Sequence, residues 1–143
     1  MTNAMNLGVI LNEQWADTIK QDKGFFIRRG CFMDNRGEVE IAANVIWGYG
    51  VRVLTASHDI SEGKVGDTVL KKVIIKERAW IGSFALLYNC IIGEDAIVAA
   101  GAVVKSCEVA PGTMVEGNPA QVVARLVDGK WQYVDKHRWL ILR

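Results

Sequence analysis

Apolar side chains recur along this chain every six residues. Ile27, Met33, Val39, Val45 and Val51 stand six apart, and Ile41, Trp47 and Val53 form a second series two positions on. The series stops at His58. It resumes with Val73, Ala79 and Ala85 beside Ile75, Ile81 and Leu87, and again with Ile92, Val98 and Val104 beside Ala96 and Ala102. A helix repeats near 3.6 residues and a half-buried strand near 2, so neither accounts for six. A period of six requires a corner at regular intervals. In each unit an apolar residue points inward, a small or polar residue follows, and about four residues turn the chain onto the next flat face. Three units close a triangular coil of about 18 residues, and stacked coils pair as parallel strands. The Gly, Asn and Asp residues between the series suit such corners. The expected fold is therefore all-β: a parallel β-helix occupying roughly residues 26–125 of a single domain, 1–143.

The breaks in phase carry information of their own. From Val53 to Ile75 is 22 residues, four more than a whole coil, which predicts an extruded loop; Asp59 to Asp67 is suitably polar. From Leu87 to Ile92 is five residues instead of six, which predicts a distorted corner around Tyr88, Asn89 and Cys90. The ends do not follow the period. Residues 1 to about 24 are expected to cap the first coil with a short strand or helix around Trp15 to Ile19. The aromatic and basic C-terminal extension, residues 126–143, is expected to pack on the coil or on a neighbouring subunit; a membrane-surface role fits less well, because the segment lacks an amphipathic helical pattern.

Lys plus Arg (17) nearly balances Asp plus Glu (16), which argues against nucleic acid as the partner. The longest apolar run, residues 96–104, is about half of what a membrane span requires. The first residues lack a basic and then apolar secretory pattern, so a cytoplasmic protein is expected. Cys31, Cys90 and Cys107 have neither paired spacing nor a nearby His; packing thiols are expected, with no disulfide and no metal site.

Three motifs follow one another along the repeat. Residues 44–59, running Asn44-Val45-Ile46-Trp47-Gly48-Tyr49-Gly50 and ending Thr55-Ala56-Ser57-His58-Asp59, resemble the segment that carries the catalytic His of hexapeptide-repeat O-acetyltransferases. These include maltose and galactoside acetyltransferases and enzymes that acetylate surface polysaccharides. Ala79-Trp80-Ile81-Gly82 resembles the family's Trp-Ile-Gly motif, and Gly117-Asn118-Pro119-Ala120 its C-terminal signature. The resemblance covers roughly residues 26–125. It implies a left-handed coil, acetyl-CoA as donor, a sugar or surface-polysaccharide precursor as acceptor, and homotrimers with active sites at the subunit junctions.

Acetyl transfer from a thioester to a hydroxyl needs a base for the hydroxyl proton, and an imidazole titrates near working pH. His58, where the repeat breaks and a polar loop begins, is the candidate. Its second nitrogen needs an acceptor to fix the tautomer; Asp59 is adjacent in sequence, and Asp34 is another candidate. Asp34, Asn35 and Arg36 lie in Met33-Asp34-Asn35-Arg36-Gly37, which resembles an acceptor-site segment of the polysaccharide-modifying members. Asp34 then either binds sugar hydroxyls or helps to orient His58, unless it is simply a corner Asp. Arg28 and Arg36 stand where the galactoside enzymes place sugar-binding Asn and Asp, which argues against a simple galactoside. For the donor, the resemblance implies that pantetheine runs along the outside of the coil between two subunits. Ser83, Ala100 and Ala102 match the contact positions, and Trp80 either flanks the thioester or fills a coil face. Lys105 and Arg125 are the nearest cations for the CoA phosphates, although Lys105-Ser106-Cys107-Glu108 departs from the family's Thr-Lys-Asp run.

Other functions remain at this stage. A zinc carbonic anhydrase on a related coil needs three His ligands, and only His58 and His137 are present. A non-catalytic scaffold would use the flat faces to bind proteins but leaves the His-containing loop unexplained. An N-acyltransferase on an amino sugar could use the same donor groove and base.

Overall fold

The structure, a computed structural model, describes residues 10–11, 19–21, 27–28 and 30–135. The described residues form strands and turns wound into a parallel β-helix, as the six-residue period predicts, and left-handed, as the resemblance implies. The first face stacks β1 (Ile10–Leu11), β3 (Phe32–Met33), β6 (Arg52–Leu54) and the leading parts of β11 (Leu86–Ile92) and β13 (Val103–Val109), all parallel. The second stacks β2 (Ile19–Gln21), β4 (Glu38–Ile41), β9 (Lys72–Ile75) and the trailing parts of β11 and β13. The third stacks β5 (Ile46–Trp47), β10 (Trp80–Ile81), β12 (Ile97–Val98) and β14 (Thr113–Glu116).

Every residue of the six-residue series lies in the buried core. Val53, Leu87 and Val104 stack inside the first face, Val39, Val73 and Cys90 inside the second, and Trp47, Ile81, Val98 and Val115 inside the third. Each apolar residue thus packs on its equivalent one coil away, and a cavity-forming truncation of Leu87 or Ile81 to Ala is expected to cost about 2–5 kcal/mol.

Two corners repeat from coil to coil. Between the second and third faces, Asn44, Arg78, Asp95 and Gly112 all take positive φ, and each of the last three donates its N–H to the coil below. Between the third and first faces, Gly50, Phe84 and Gly101 do the same, with Phe84 N–H donating to the Tyr49 carbonyl (2.8 Å) and Gly101 N–H to that of Ser83 (2.9 Å). The corner between the first and second faces changes along the coil, and it carries the insertion.

The short corner expected near Asn89 is there: β11 bends through it at Asn89 (φ 46) with no separate turn. The same bend recurs one coil later at Ser106 (φ 51), where Val104 to Val109 is also five residues, and the Asn89 amide donates to Ser106 Oγ. The coil also begins earlier than residue 26, because β1 and β2 already pair in parallel with β3 and β4. Ile10 and Ile19 are nine apart, so no six-residue phase announces them. The expected element at Trp15 to Thr18 lies outside the described residues. At the other end β15 (Gln121–Val127) and β16 (Lys130–Tyr133) extend the third face as antiparallel strands, so the tail packs on its own coil as far as residue 135; residues 136–143, His137 included, lie outside the described residues. No helix among the described residues is long and apolar enough to cross a membrane.

Candidate active site

The coil opens at Thr55 and closes at Lys71, whose N–H donates to the Thr55 carbonyl at 2.6 Å. Between them β7 (Ala56–His58) and β8 (Thr68–Leu70) pair antiparallel as a hairpin outside the coil. The predicted polar loop, residues 59–67, is its tip, closed by Asp59 N–H to the Asp67 carbonyl and Gly66 N–H to the Asp59 carbonyl. His58 is the last residue of β7 and is exposed.

Its ring is nonetheless held. Nδ1 lies 3.0 Å from the Gly66 carbonyl oxygen, and since a carbonyl only accepts, Nδ1 carries the proton of the neutral ring. Nε2 is left with a lone pair, the form a general base requires. The orienting acceptor is therefore a backbone carbonyl and neither carboxylate considered from the sequence. Asp59 Oδ1 instead accepts from Ser61 N–H at 2.9 Å, a bond that holds its carboxyl below the usual range. Asp34 is paired with the Arg36 guanidinium, Nε to Oδ1 and Nη2 to Oδ2 at 2.8 Å each, which likewise lowers its carboxyl.

Asp34, Asn35 and Arg36 form the same corner one coil below the hairpin, so the structure brings the predicted acceptor segment beneath the predicted base. Asp34 and Asn35 are buried and Arg36 is partly exposed. Thr55 ties the two levels together: its buried hydroxyl accepts from Gly37 N–H (2.8 Å) and donates to the Asp34 carbonyl (2.5 Å). Gly37 must lack a side chain, because a Cβ there would overlap the Lys71 carbonyl oxygen and crowd Thr55. Beside this junction opens a cavity of about 620 Å³ lined by Arg36, Gly37, Glu38, Leu70, Lys71, Lys72 and Asn89.

The donor candidates lie elsewhere. Trp80 faces outward on the third face, 49 % exposed, between Ile46 and Ile97. Ser83 and Ala100 follow at the corner between the third and first faces, where Ser83 Oγ accepts from Tyr49 N–H at 3.1 Å and Ala100 is exposed. Ala102 is a correction: its side chain is fully buried in the core, and its N–H and carbonyl bond to Ala99 and Leu86, so it offers no side-chain surface to an outer groove. Lys105 is exposed at the far end of the first face, opposite Tyr88 in register, and Arg125 is exposed on β15 opposite Thr113; one chain does not gather these two cations around Ser83 and Ala100.

Cys31 and Cys90 are buried, and burial pushes the Cys90 thiol up to about 12, whereas Cys107 is exposed and departs from the packing role expected of it. Among the described residues no group of three or more His, Cys, Asp or Glu is placed to hold a metal ion.

Three participants escaped the sequence reading: the Gly66 carbonyl, Thr55 and Lys71. A carbonyl leaves no trace in residue type. The phase surplus between Val53 and Ile75 does mark where the chain leaves and re-enters the coil, and that would have pointed to Thr55 and Lys71.

Residues 72–106 match the family description "Bacterial transferase hexapeptide (six repeats)". A putative acetyltransferase of Schizosaccharomyces pombe is 30% identical over 107 residues, 73% of this chain and 51% of that protein, so the chain spans about half the length of this curated relative. Among solved structures, a hexapeptide-repeat acetyltransferase of Vibrio cholerae in complex with acetyl coenzyme A is 25% identical with a TM-score of 0.75, covering 88% of this chain and 75% of that one. A maltose O-acetyltransferase of Clostridium difficile is also 25% identical with a TM-score of 0.75, covering 84% and 64%.

Proposed function

The chain belongs to the hexapeptide-repeat acyltransferase family, and on that premise we propose that it is an acetyl-CoA-dependent O-acetyltransferase with His58 as general base. The acceptor is a hydroxyl of a sugar or surface-polysaccharide precursor, modified in the cytoplasm. The observation that carries this reading is the His58 ring, exposed beside the groove with Nδ1–H fixed on the Gly66 carbonyl. His58 Nε2 takes the hydroxyl proton as the oxygen attacks the acetyl carbonyl. When the tetrahedral adduct collapses, the C–S bond breaks and the imidazolium returns a proton to the departing thiolate. The acetyl-CoA complex of the Vibrio relative supports this donor.

Trp80, Ser83 and Ala100 are the proposed donor contacts, with Lys105 and Arg125 as candidates for the phosphates. In one chain the width of the first face, three residues or about 10 Å of strand, separates this corner from the hairpin corner. A donor lying on one corner is proposed to meet His58 of a second copy. This separation, with Ile46, Tyr49, Trp80 and Phe84 all more than two-fifths exposed, supports a homotrimer with sites at its junctions.

The test is single-turnover acetyl transfer by wild type and His58→Ala. A loss of about 10²–10⁴-fold with unchanged melting and CoA affinity is expected. Wild-type turnover in the variant would remove His58 from the mechanism.

A further inference from the structure

We propose that the groove at the base of the hairpin binds an anionic group of the acceptor, a carboxylate or a phosphate, and that Lys71 and Lys72 are its principal ligands. This rests on the acetyltransferase reading above and narrows its substrate to acidic or phosphorylated acceptors.

The lining brings three cations, Arg36, Lys71 and Lys72, against one acid, Glu38, and adds the Asn89 side chain. The charges are not equivalent. Glu38 stands opposite Lys72 in the β4–β9 register and offsets part of its charge. Arg36 is clamped by Asp34 through Nε and Nη2, which fixes the guanidinium and leaves Nη1 outside the pair. Lys71 is half-buried, its backbone is pinned to Thr55, and its ammonium makes no ion pair among the described residues. With Asp34 and Glu38 both counted, a net positive charge remains, and at the partly buried Arg36, Lys71 and Asn89 a charge-assisted bond to an anion is stronger than on fully exposed surface.

Position favours the acceptor over the donor. Leu70, in the groove lining, pairs with Ala56, and His58 lies two residues further along the same strand, about 7 Å. That is about the width of a sugar ring between an anchored anion and a hydroxyl at the base. The donor corner is on the other side of the first face, so the CoA phosphates have no short path to this groove from the same chain.

The test follows backbone amide resonances of the full chain during titration with D-glucose, D-glucuronate, D-glucose 6-phosphate and CoA. Saturable shifts at Gly37, Lys71, Lys72 and Asn89 with glucuronate or glucose 6-phosphate, absent with glucose, are expected, and the better of the two ligands distinguishes carboxylate from phosphate. The Lys71→Gln/Lys72→Gln pair should weaken that binding by about tenfold or more while melting as wild type. Equal shifts with glucose, no saturable shift with either anion, unchanged affinity in the double variant, or the same shifts with CoA would each overturn the proposal. Binding needs no turnover. A His58→Ala protein that binds the anion normally but wild-type protein that transfers no acetyl group would sink the acetyltransferase reading and leave the anion site standing.

Discussion

At the donor corner, Gly50, Phe84 and Gly101 turn the chain in the same way in successive coils, and one backbone hydrogen bond repeats from level to level. At the hairpin corner, successive coils carry a four-residue segment holding the Asp34–Arg36 ion pair, a hairpin outside the coil, and two single-residue bends at Asn89 and Ser106. Both corners flank the same face. The regular one offers a ledge at the small Ser83 and Ala100, next to the exposed Phe84 and, one coil below, Tyr49. The irregular one spends its departures from the repeat on polar groups that converge: an oriented imidazole, a buried hydroxyl and a basic groove. Repetition builds the frame, and the breaks in it supply the chemistry.

Glycine substitutions should separate the coil wall from the hairpin tip most widely. A Cβ at Gly82 would sit 2.5 Å from Ala100 N and 2.7 Å from the Val98 carbonyl oxygen, so backbone must move, whereas at Gly63 in the hairpin tip nothing lies within 4 Å. Gly82→Ala is expected to cost about 3 kcal/mol. Gly63→Ala bears only the strain of its positive φ, about 1 kcal/mol. Equal denaturation midpoints for the two variants would mean that the hairpin tip is packed as tightly as the coil wall.

Thr55→Val comes next. It strands the Gly37 N–H and the Asp34 carbonyl in a buried place, with an expected loss of about 1–3 kcal/mol. Because Thr55 precedes β7, turnover should fall further than stability explains, and Thr55→Ser should restore both. A Ser variant as impaired as Val would show that the hydroxyl without the methyl group does not hold the junction, contradicting a role for the hydrogen bonds alone.

The smallest effect is the acid response of the Asp34–Arg36 pair. The Arg36 guanidinium lowers the Asp34 carboxyl, so the folded state binds this proton less readily than the unfolded chain does. The pair's contribution is present above the ordinary Asp range near pH 4 and is lost as pH falls through the lowered value. With Arg36 partly exposed, it amounts to under about 1 kcal/mol. Stability curves of wild type and Asp34→Asn should therefore converge on acidification below pH 4; curves that stay parallel would contradict the assignment.

The coil was legible because each apolar residue of the series packs on its own equivalent, so a one-dimensional pattern records a three-dimensional stack. Val53, Leu87 and Val104 needed no further information. The candidate base was legible because His58 sits where the pattern breaks. Its orienter was not, because the choice among Asp34, Asp59 and the Gly66 carbonyl depends on where the hairpin tip folds back. Ala102 went astray for a related reason: it belongs to the inward series by phase, and the resemblance placed it outside. Phase was the better guide, since a side chain in the inward series with Ala96 does not also face solvent.

Under the proposed function neither corner is sufficient, and two copies complete each site. His58→Ala disables the hairpin corner and Ala100→Trp blocks the donor ledge, so each protein alone should be nearly inactive. Unfolded together and refolded as a mixture, they should regain acetyl transfer, because about one junction in four pairs an intact His58 from one copy with an intact ledge from the other. A mixture no more active than its two components, with light scattering showing mixed assemblies, would contradict a site shared between copies.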